Sequence, residues 1–313
     1  MPVYNAAQSV GRAVESVLSQ SYGDFSLIIV DDGSTDESLE IIRSFADSRI
    51  TVLENGENRG IEYSLNRGVK AADCEWVFRL DSDDECAPGR LDAQLEFLET
   101  HPEIWVLGSW AELLFDGGGV SLGSVPVQNG QIKARLLFHS AFFHPAVAVR
   151  RELFEWTGYS AKYPRAEDYD LWCRLALNPR SRFFNLPEAL IRYRVSERGL
   201  SLGGREKQLA STREVRENFL RRAGIENQAG LDLYHAMSDG ILPAAVGPAA
   251  VETFFVLLGQ IKKWNLISGY APAGALSAEL TPRFTSLTNR IAGMAADCAE
   301  MMKKSEFYQR GFA

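Results

Sequence analysis

The sequence predicts an α/β protein in which a mostly parallel sheet is flanked by helices and followed by a C-terminal helical region. One observation is the alternation of helically spaced apolar residues with short continuous apolar runs, which is typical of successive strand–helix–strand units. The other is that strand signals vanish from about Arg205 onward, where mainly helical patterns remain. We therefore expect two domains, residues 1–204 and 205–313.

The N-terminal elements are predicted to be a helix, a turn and a buried strand. Apolar residues recur at helical spacing from Val10 to Val17, Gly23 ends the helix, and the run FSLIIV follows as a strand. Ser34 and Glu37 then have the spacing of a capping box, which predicts the start of a second helix there.

The same alternation continues through two further units. RITVLEN is a predicted strand, a helix carries Ile61, Leu65 and Val69 on one face, and EWVFRL is the next strand. Pro88 then starts a helix with a leucine stripe. Ligands of such sheets bind at the carboxyl ends of the strands, which is where the acids of DDGSTDES and LDSDD fall.

Beyond Trp105 the pattern is looser. We expect DGGGVSLGS to form a turn and a flexible loop rather than a phosphate cradle, because no helix follows it. AFFHPAVAVR is a predicted strand, and RELFEW is a predicted short helix. A helix over AEDYDLWCRLAL is expected to bury Leu171, Trp172 and Leu175.

Composition and charge exclude several classes of protein. The net charge of -8 arises from 41 acidic and 33 basic residues that are interspersed, so no nucleic-acid partner is indicated. Cys74, Cys86, Cys173 and Cys298 form no CxxC pair, which argues against a disulfide framework or a zinc site and favours a reducing cytoplasm. No leader opens the chain, and no apolar run approaches the roughly 20 residues that span a bilayer. We expect a cytoplasmic protein, with peripheral contact at the inner face of the membrane left open.

The segment FRLDSDDECAPGRL places three carboxylates directly after a predicted strand. Asp81, Asp83 and Asp84 repel one another, and a hard divalent ion such as Mn²⁺ or Mg²⁺, shared with a diphosphate, would relieve that repulsion. The alternative is a solvated turn in which Asp84 and Glu85 complement the dipole of the following helix. The sequence alone leaves both open.

Two other segments place acids at the start of a helix. In LIIVDDGSTDES, Asp31 and Asp32 follow a strand where a carboxylate can accept a hydrogen bond from a base or a ribose. In AEDYDLWCRLAL, Asp168 lies beside Glu167 on the first turn and has the chemistry of a general base. Taken singly, each segment is equally compatible with ordinary capping and dipole complementation.

The three segments together resemble a known family. MPVYNAAQSVGRAVESVLSQSYGDFSLIIVDDGSTDESLEII, LDSDD and AEDYDLWCRLA, in this order, closely resemble the family 2 glycosyltransferases with the GT-A fold, over residues 1 to roughly 200. The resemblance implies a glycosyltransferase of the hexosyltransferase type that moves a sugar from a nucleotide diphosphate donor, with inversion. A UDP-sugar donor, a Mn²⁺ or Mg²⁺ cofactor and a saccharide or lipid-linked acceptor in cell-surface polysaccharide or glycolipid synthesis are the expectations that follow.

The resemblance also implies roles for particular residues. Asp168 would deprotonate the acceptor hydroxyl, with Glu167 as the second catalytic carboxylate, and Asp83 would bind the metal. Asp32 would bind the uracil, and Asp81 would lie near the ribose or the donor sugar. The residues expected to contact the donor are Pro2, Val3, Tyr4, Asp32, Asp81 and Ser82.

The chain departs from the family pattern at three places, of which Cys74, where members often carry Gly, suggests only an altered turn geometry. Most members carry several apolar residues before Pro-x-Tyr-Asn, forming a central first strand, whereas here Met1 directly precedes the motif, so we expect reduced stability and weak donor affinity. Many members have YRVH, where the histidine approaches the metal or diphosphate, and this chain has Ser196. His144 matches a common His-Pro of the family, and a structural role is the favoured interpretation.

Other functions and partners were weighed on the same residues. A nucleotide-sugar-binding module without catalysis is one alternative, and a nucleotidyltransferase, which would need a Gly-rich loop and a lysine near the N-terminus, is another. The helical tail is compatible with acceptor binding, a homodimer or a membrane-surface helix, although a packed helix is favoured. The residues behind the membrane hypothesis are Phe254, Phe255, Leu257, Leu258, Lys262, Lys263 and Trp264.

Overall fold

The computed structural model describes residues 1–195, 202–225 and 229–310, and it confirms the α/β class and the C-terminal helical region. The strands are β1 (Pro2–Val3), β2 (Leu27–Asp31), β3 (Ile50–Glu54), β4 (Trp76–Phe78), β5 (Glu85–Cys86), β6 (Val106–Phe115), β7 (Val120–Gly123), β8 (Ala148–Arg150) and β9 (Phe183–Val195). The helices are α1 (Val10–Leu18), α2 (Ser38–Ser44), α3 (Ile61–Ala71), α4 (Arg90–Thr100), α5 (Asn129–Leu136), α6 (Glu167–Ala176), α7 (Leu202–Arg222), α8 (Leu231–Asp239), α9 (Pro248–Ser268), α10 (Ala273–Ala292), α11 (Ala296–Lys304) and α12 (Glu306–Gln309).

The first sheet is parallel, in the order β1-β2-β3, as the βαβ pattern predicts. The predicted capping box is wrong, because α2 begins only at Ser38. Glu37 holds the N-cap position without a side-chain capping bond, and the backbone N–H of Ser38 donates to Asp36 Oδ1 at 3.0 Å just before the helix. Ser34 instead accepts a hydrogen bond from the backbone N–H of Asn5 at 3.0 Å, which ties the loop after β2 to the loop after β1.

The second sheet runs in the order β4-β8-β6-β9-β5 and is mainly antiparallel, with parallel pairing only between β6 and β9. The glycine run after β6 is the turn of a hairpin, and β7 pairs with β6, where the sequence predicted only a loop. Gly118 adopts a positive φ of 84° at this turn, which glycine accepts without strain. Within the described residues, parallel pairing is therefore concentrated in the first sheet and in the long β6–β9 pair.

The predicted strand AFFHPAVAVR is mostly not a strand. His144–Ala146 form a turn of 3-10 helix, and only Ala148–Arg150 pair as β8, because Pro145 lacks the N–H that a ladder requires. The segment RELFEW forms a second 3-10 helix at Arg151–Glu155, in agreement with the expected short helix.

The largest hydrophobic core crosses the predicted domain boundary. It runs from Leu65 through the side chains of α5 and α6 to Phe307, and so joins the sheet-bearing part to the helical part. In α9, Phe254, Leu257 and Leu258 are fully buried in this core, as the packed-helix interpretation requires. Across residues 1–195, 202–225 and 229–310, no helix is long and apolar enough to cross a membrane. The boundary between residues 204 and 205 stays a prediction.

A cavity of about 880 Å³ lies between the two sheets. Met1, Leu27 and Ile28 line it from the first sheet, and Trp76 and Phe78 line it from β4, the edge strand of the second sheet. The Met1 amino group donates to the Ile28 carbonyl at 2.9 Å, and burial, followed by repulsion from Arg79, lowers its pKa to about 5. The cavity therefore lies beside the two-residue β1 and is lined there by Met1 and Pro2.

An apolar extension placed before Met1 should stabilise the protein. About five extended residues, at roughly 3.3 Å each, would fill apolar space, and an amide N–H would replace the buried amine at the Ile28 carbonyl. We expect a higher thermal midpoint by scanning calorimetry and tighter UDP binding by titration calorimetry. A Gly/Ser extension of equal length is the control, and an unchanged midpoint and UDP affinity with the apolar extension would refute the expectation.

Candidate active site

The predicted site residues lie where strands of the two sheets end. Asp31 ends β2, and the backbone N–H of Asp32 donates to the Val3 carbonyl at 2.8 Å, which joins this strand end to β1. The acids of LDSDD follow β4. The structure thus places the first two acidic segments after the carboxyl ends of β2 and β4, as the fold class predicts.

Asp81, Asp83 and Asp84 form one cluster, in which a carboxylate oxygen of each lies within 4.8 Å of the others. Asp84 is buried, and its Oδ1 accepts a hydrogen bond from the backbone N–H of Arg194 on β9 at 2.8 Å. Asp83 is exposed, whereas Asp81 is half-buried and its Oδ2 is paired with the buried Arg79. Because α4 begins only at Arg90, Asp84 anchors β9 and does not serve the helix dipole.

Crowding perturbs the acids of this cluster. Burial, followed by repulsion from Asp81 and Asp83, raises the pKa of Asp84 to about 8. Partial loss of hydration around the carboxylate, followed by repulsion from Asp81, also raises the pKa of Asp83. Three convergent carboxylates fit a hard divalent cation, because such ions prefer carboxylate oxygens.

Asp32 is buried and already well supplied with hydrogen-bond donors. Its Oδ1 accepts from Asn55 Nδ2 at 2.6 Å and from the backbone N–H of Arg59 at 3.1 Å. Its Oδ2 accepts from the backbone N–H of Gly60 at 2.9 Å. A carboxylate offers about four acceptor positions, and these three hydrogen bonds occupy most of them. The predicted contact with uracil would use the acceptor capacity that remains on Asp32.

The other predicted donor contacts differ in exposure. Val3 is only 1% exposed and packs in the core of the first sheet. Tyr4 is 48% exposed, whereas Pro2 and Ser82 are half-buried. Tyr4 is therefore the best placed of these residues to stack on a nucleotide, and the donor roles of all of them stay predictions.

Glu167 and Asp168 occupy the first turn of α6, as predicted. Asp168 Oδ2 accepts a hydrogen bond from Ser140 Oγ at 3.3 Å. Burial raises the pKa of Asp168, and burial followed by repulsion from Asp168 raises the pKa of Glu167 to about 7. The pair therefore combines a carboxylate that can take up a proton with a neighbour that titrates near neutral pH.

The rest of α6 fixes this pair rigidly. Trp172 is fully buried, in agreement with the expected core role, and the hydroxyl of Tyr169 donates to the Leu136 carbonyl at 2.8 Å. Arg174 Nε is 2.8 Å from Asp170 Oδ2 one turn away. A helix anchored on several sides holds the orientation of Asp168, which general-base catalysis requires.

One further residue beside the acids, Arg79, was not identified from the sequence as a site residue. Arg79 is buried and forms an ion pair with Asp81. His144 Nε2 lies 3.0 Å from the Tyr159 hydroxyl, and burial lowers the pKa of His144, in keeping with the favoured structural role. Tyr159 is only 7% exposed, whereas Trp156 is 53% exposed. The one signal in the sequence for a site role of Arg79 is that an arginine stands at the end of an otherwise apolar predicted strand. Ser196 lies outside the described residues.

Comparison with known proteins identifies the family. Residues 1–156 match the family described as Glycosyl transferase family 2. The putative glycosyltransferase EpsE of Bacillus subtilis (strain 168) is 36% identical over 203 residues, which cover 62% of this chain and 71% of that protein. The O-antigen biosynthesis glycosyltransferase WbnJ of Escherichia coli is 28% identical over 245 residues, covering 75% and 92%. The chain belongs to glycosyltransferase family 2 and is a glycosyltransferase enzyme.

Solved structures share the fold. S. aureus TarS 1-349 in complex with UDP-GlcNAc gives a TM-score of 0.56 at 19% identity, covering 99% of this chain and 90% of that chain. The mannosyltransferase PcManGT from Pyrobaculum calidifontis, in complex with GDP-Man and Mn2+, gives 0.50 at 16% identity, covering 99% and 80%. The GT-A fold that the resemblance implied is confirmed.

The raised pKa values predict that the metal-free protein loses stability as the pH rises. A carboxyl group whose pKa rises on folding, from about 4 to about 8 for Asp84, binds more protons in the folded state over this interval. Its contribution to the free energy of unfolding therefore falls as the pH climbs. We expect the thermal midpoint to drop by on the order of a few degrees between about pH 5 and 8. Mn²⁺ should raise the thermal midpoint more at the higher pH than at the lower pH, as measured by scanning calorimetry.

The variant Asp84→Asn tests the origin of this effect. An amide keeps the acceptor for the Arg194 N–H but carries no charge, so the drop in midpoint and the gain from Mn²⁺ should both shrink. Asp92→Asn, on the exposed side of α4, is the matched control and should behave as the unchanged protein does. A pH dependence undiminished in the Asp84 variant would contradict the assignment.

Proposed function

We propose that this chain is an inverting, metal-dependent hexosyltransferase that moves a sugar from a UDP-sugar to a hydroxyl of a saccharide or lipid-linked acceptor. The observation that carries the proposal is the cluster of Asp81, Asp83 and Asp84 after β4, together with the rigidly held Glu167–Asp168 pair on α6. Glycosyl transfer requires a metal site that can bind the donor diphosphate and a base that can take the proton of the acceptor hydroxyl. The two sets of acids supply these two requirements.

Relatives support the donor and the pathway class. WbnJ is named for O-antigen biosynthesis, and AmsE of Erwinia amylovora, 28% identical over 190 residues, is named for amylovoran biosynthesis. TarS is known in complex with UDP-GlcNAc, and PcManGT in complex with GDP-Man and Mn2+. We infer that this chain builds a cell-surface polysaccharide or glycolipid and acts in the cytoplasm.

The acid cluster would hold the divalent cation. Asp83 is the principal ligand because it is the exposed member, and Asp81 and Asp84 lie close enough to share the ion or its water. When bound, Mn²⁺ or Mg²⁺ stabilises the negative charge that develops on the departing nucleotide diphosphate. Asp84 keeps the cluster in place through its hydrogen bond with the β9 backbone.

Asp168 would remove the proton from the acceptor hydroxyl. Its Oδ2 is oriented by Ser140, and its raised pKa increases its affinity for that proton. Glu167, whose pKa of about 7 lets it retain a proton, reduces the charge that Asp168 must face. Attack by the activated oxygen on the face opposite the diphosphate inverts the anomeric carbon.

Replacing Asp168 with Asn should separate catalysis from donor binding. General-base assistance is worth about 10²–10⁴-fold, so turnover should fall by that order while UDP affinity stays close to that of the unchanged protein. Rates of UDP release and titration calorimetry with UDP and Mn²⁺ measure the two quantities. Asp232→Asn, at the exposed first turn of α8, is the matched control. Loss of UDP binding in the Asp168 variant would count against its role as the base.

The function itself is tested by a panel of nucleotide sugars with Mn²⁺ or Mg²⁺. We expect hydrolysis or transfer with UDP-sugars, dependent on the metal and lost on adding a chelator. The anomeric configuration of the product, followed by NMR, should be opposite to that of the donor. Turnover of GDP-sugars alone, or retention of configuration, would refute the corresponding part of the proposal. Donor binding without any turnover would favour the binding module that lacks catalysis.

A further inference from the structure

Arg79 is held at both of its backbone groups directly below the acid cluster. Its N–H donates to the Val147 carbonyl at 2.9 Å, and its carbonyl accepts from Arg90 Nη2 at 2.9 Å. Arg90 is itself only 1% exposed and is oriented by Gln94 at 3.0 Å. One buried arginine therefore fixes the main chain of the other, which leaves the Arg79 side chain little freedom to move.

The Arg79 guanidinium is buried among acids from two parts of the site. Its side chain is 6% exposed and its Nη1 forms an ion pair with Asp81, while neither Nε nor Nη1 makes a well-directed hydrogen bond among the described residues. Arg79 also interacts electrostatically with Asp84 of the metal cluster and with Glu167 and Asp168 on α6. The same charge thus acts on the donor side and on the acceptor side of the site.

A purely structural ion pair explains this arrangement poorly. Burying a guanidinium costs free energy unless its donors are well satisfied, and a structural pair would be expected to use the bidentate fork of arginine. Here one carboxylate is paired, Nε is left without a partner, and several further acids lie nearby. The Arg79 guanidinium is therefore positioned to interact electrostatically with several carboxylates at once.

We propose that Arg79 is a positioning residue that orients Asp81 on the donor side and, with the same charge, offsets the negative charge around Asp168 on the acceptor side. Because Asp168 is the proposed base, this role of Arg79 rests on the proposed function. Arg79 does not touch the reacting atoms and acts through these two aspartates.

The titratable and charged groups that face Asp168 come from several elements. Glu167 and Cys173 lie on its own helix, Tyr159 lies in the segment before α6, and Arg79 follows β4. Ser140, after α5, donates the hydrogen bond already described. Arg79 is the cation among these groups, and it lowers the pKa that burial raises. An opposite charge at such a site is worth about 1–3 pH units.

The test is the pH dependence of turnover in Arg79→Gln and Arg79→Lys. The acid limb of kcat should move upward by about one pH unit or more in the glutamine variant and return to its original position in the lysine variant, which restores the charge. The donor KM should rise about three- to tenfold in Arg79→Gln because Asp81 loses its partner. Arg216→Gln, which removes a fully buried arginine paired with Asp239 in the helical part, is the matched control.

A uniform fall in kcat at every pH, with the limb unmoved, would show that Arg79 is only a scaffold and would overturn the proposal. If Arg79→Gln does not fold by scanning calorimetry, Asp81→Asn replaces it. That variant frees the guanidinium, so the acid limb should move downward, and an unmoved limb overturns the proposal equally. A failure of the proposed function is distinguishable, since it appears as no effect of Asp168→Asn on turnover in the otherwise unchanged protein.

Discussion

Negative charge crowded at the ends of β4 and at the start of α6 is the constraint on which the rest of the site depends. Five carboxylates, Asp81, Asp83, Asp84, Glu167 and Asp168, lie around one buried guanidinium. Their mutual repulsion and burial keep some of them protonated at neutral pH. A site built in this way carries excess negative charge until a divalent cation compensates it.

Hydrogen bonds to the backbone hold the residues of the site in place despite the repulsion between the acids. Asp84 is tied to β9 through the Arg194 N–H, and Arg79 is fixed by Val147 and Arg90. On the other side, α6 is locked by Trp172 in the largest core. Because none of these anchors depends on a bound ligand, the acids remain convergent in its absence, which is the preorganisation that electrostatic catalysis needs.

The sequence reveals those features that depend on neighbours along the chain. The strand LIIVD, the buried face of α6 and the clustering in LDSDD were all predictable, because hydrophobic period and adjacency determine them. The pairing of β6 with β9, which brings Val106 opposite Phe183, was not, since it joins distant segments without a local signal. The shared charge of Arg79 and the Tyr159–His144 contact escaped prediction for the same reason. The start of α2 was misplaced because Ser34 bonds the distant Asn5 N–H and not a helix N–H.

The core that runs from Leu65 to Phe307 has a consequence for how such enzymes diversify. Aromatic and aliphatic side chains of α9 and α10 pack in the same hydrophobic core as those of α5 and α6. Neither half would therefore bury its apolar side chains completely by itself. Grafting the tail of another relative onto the catalytic half would open voids beneath α6. New specificity therefore has to arise by mutation within one cooperative unit, and not by swapping modules.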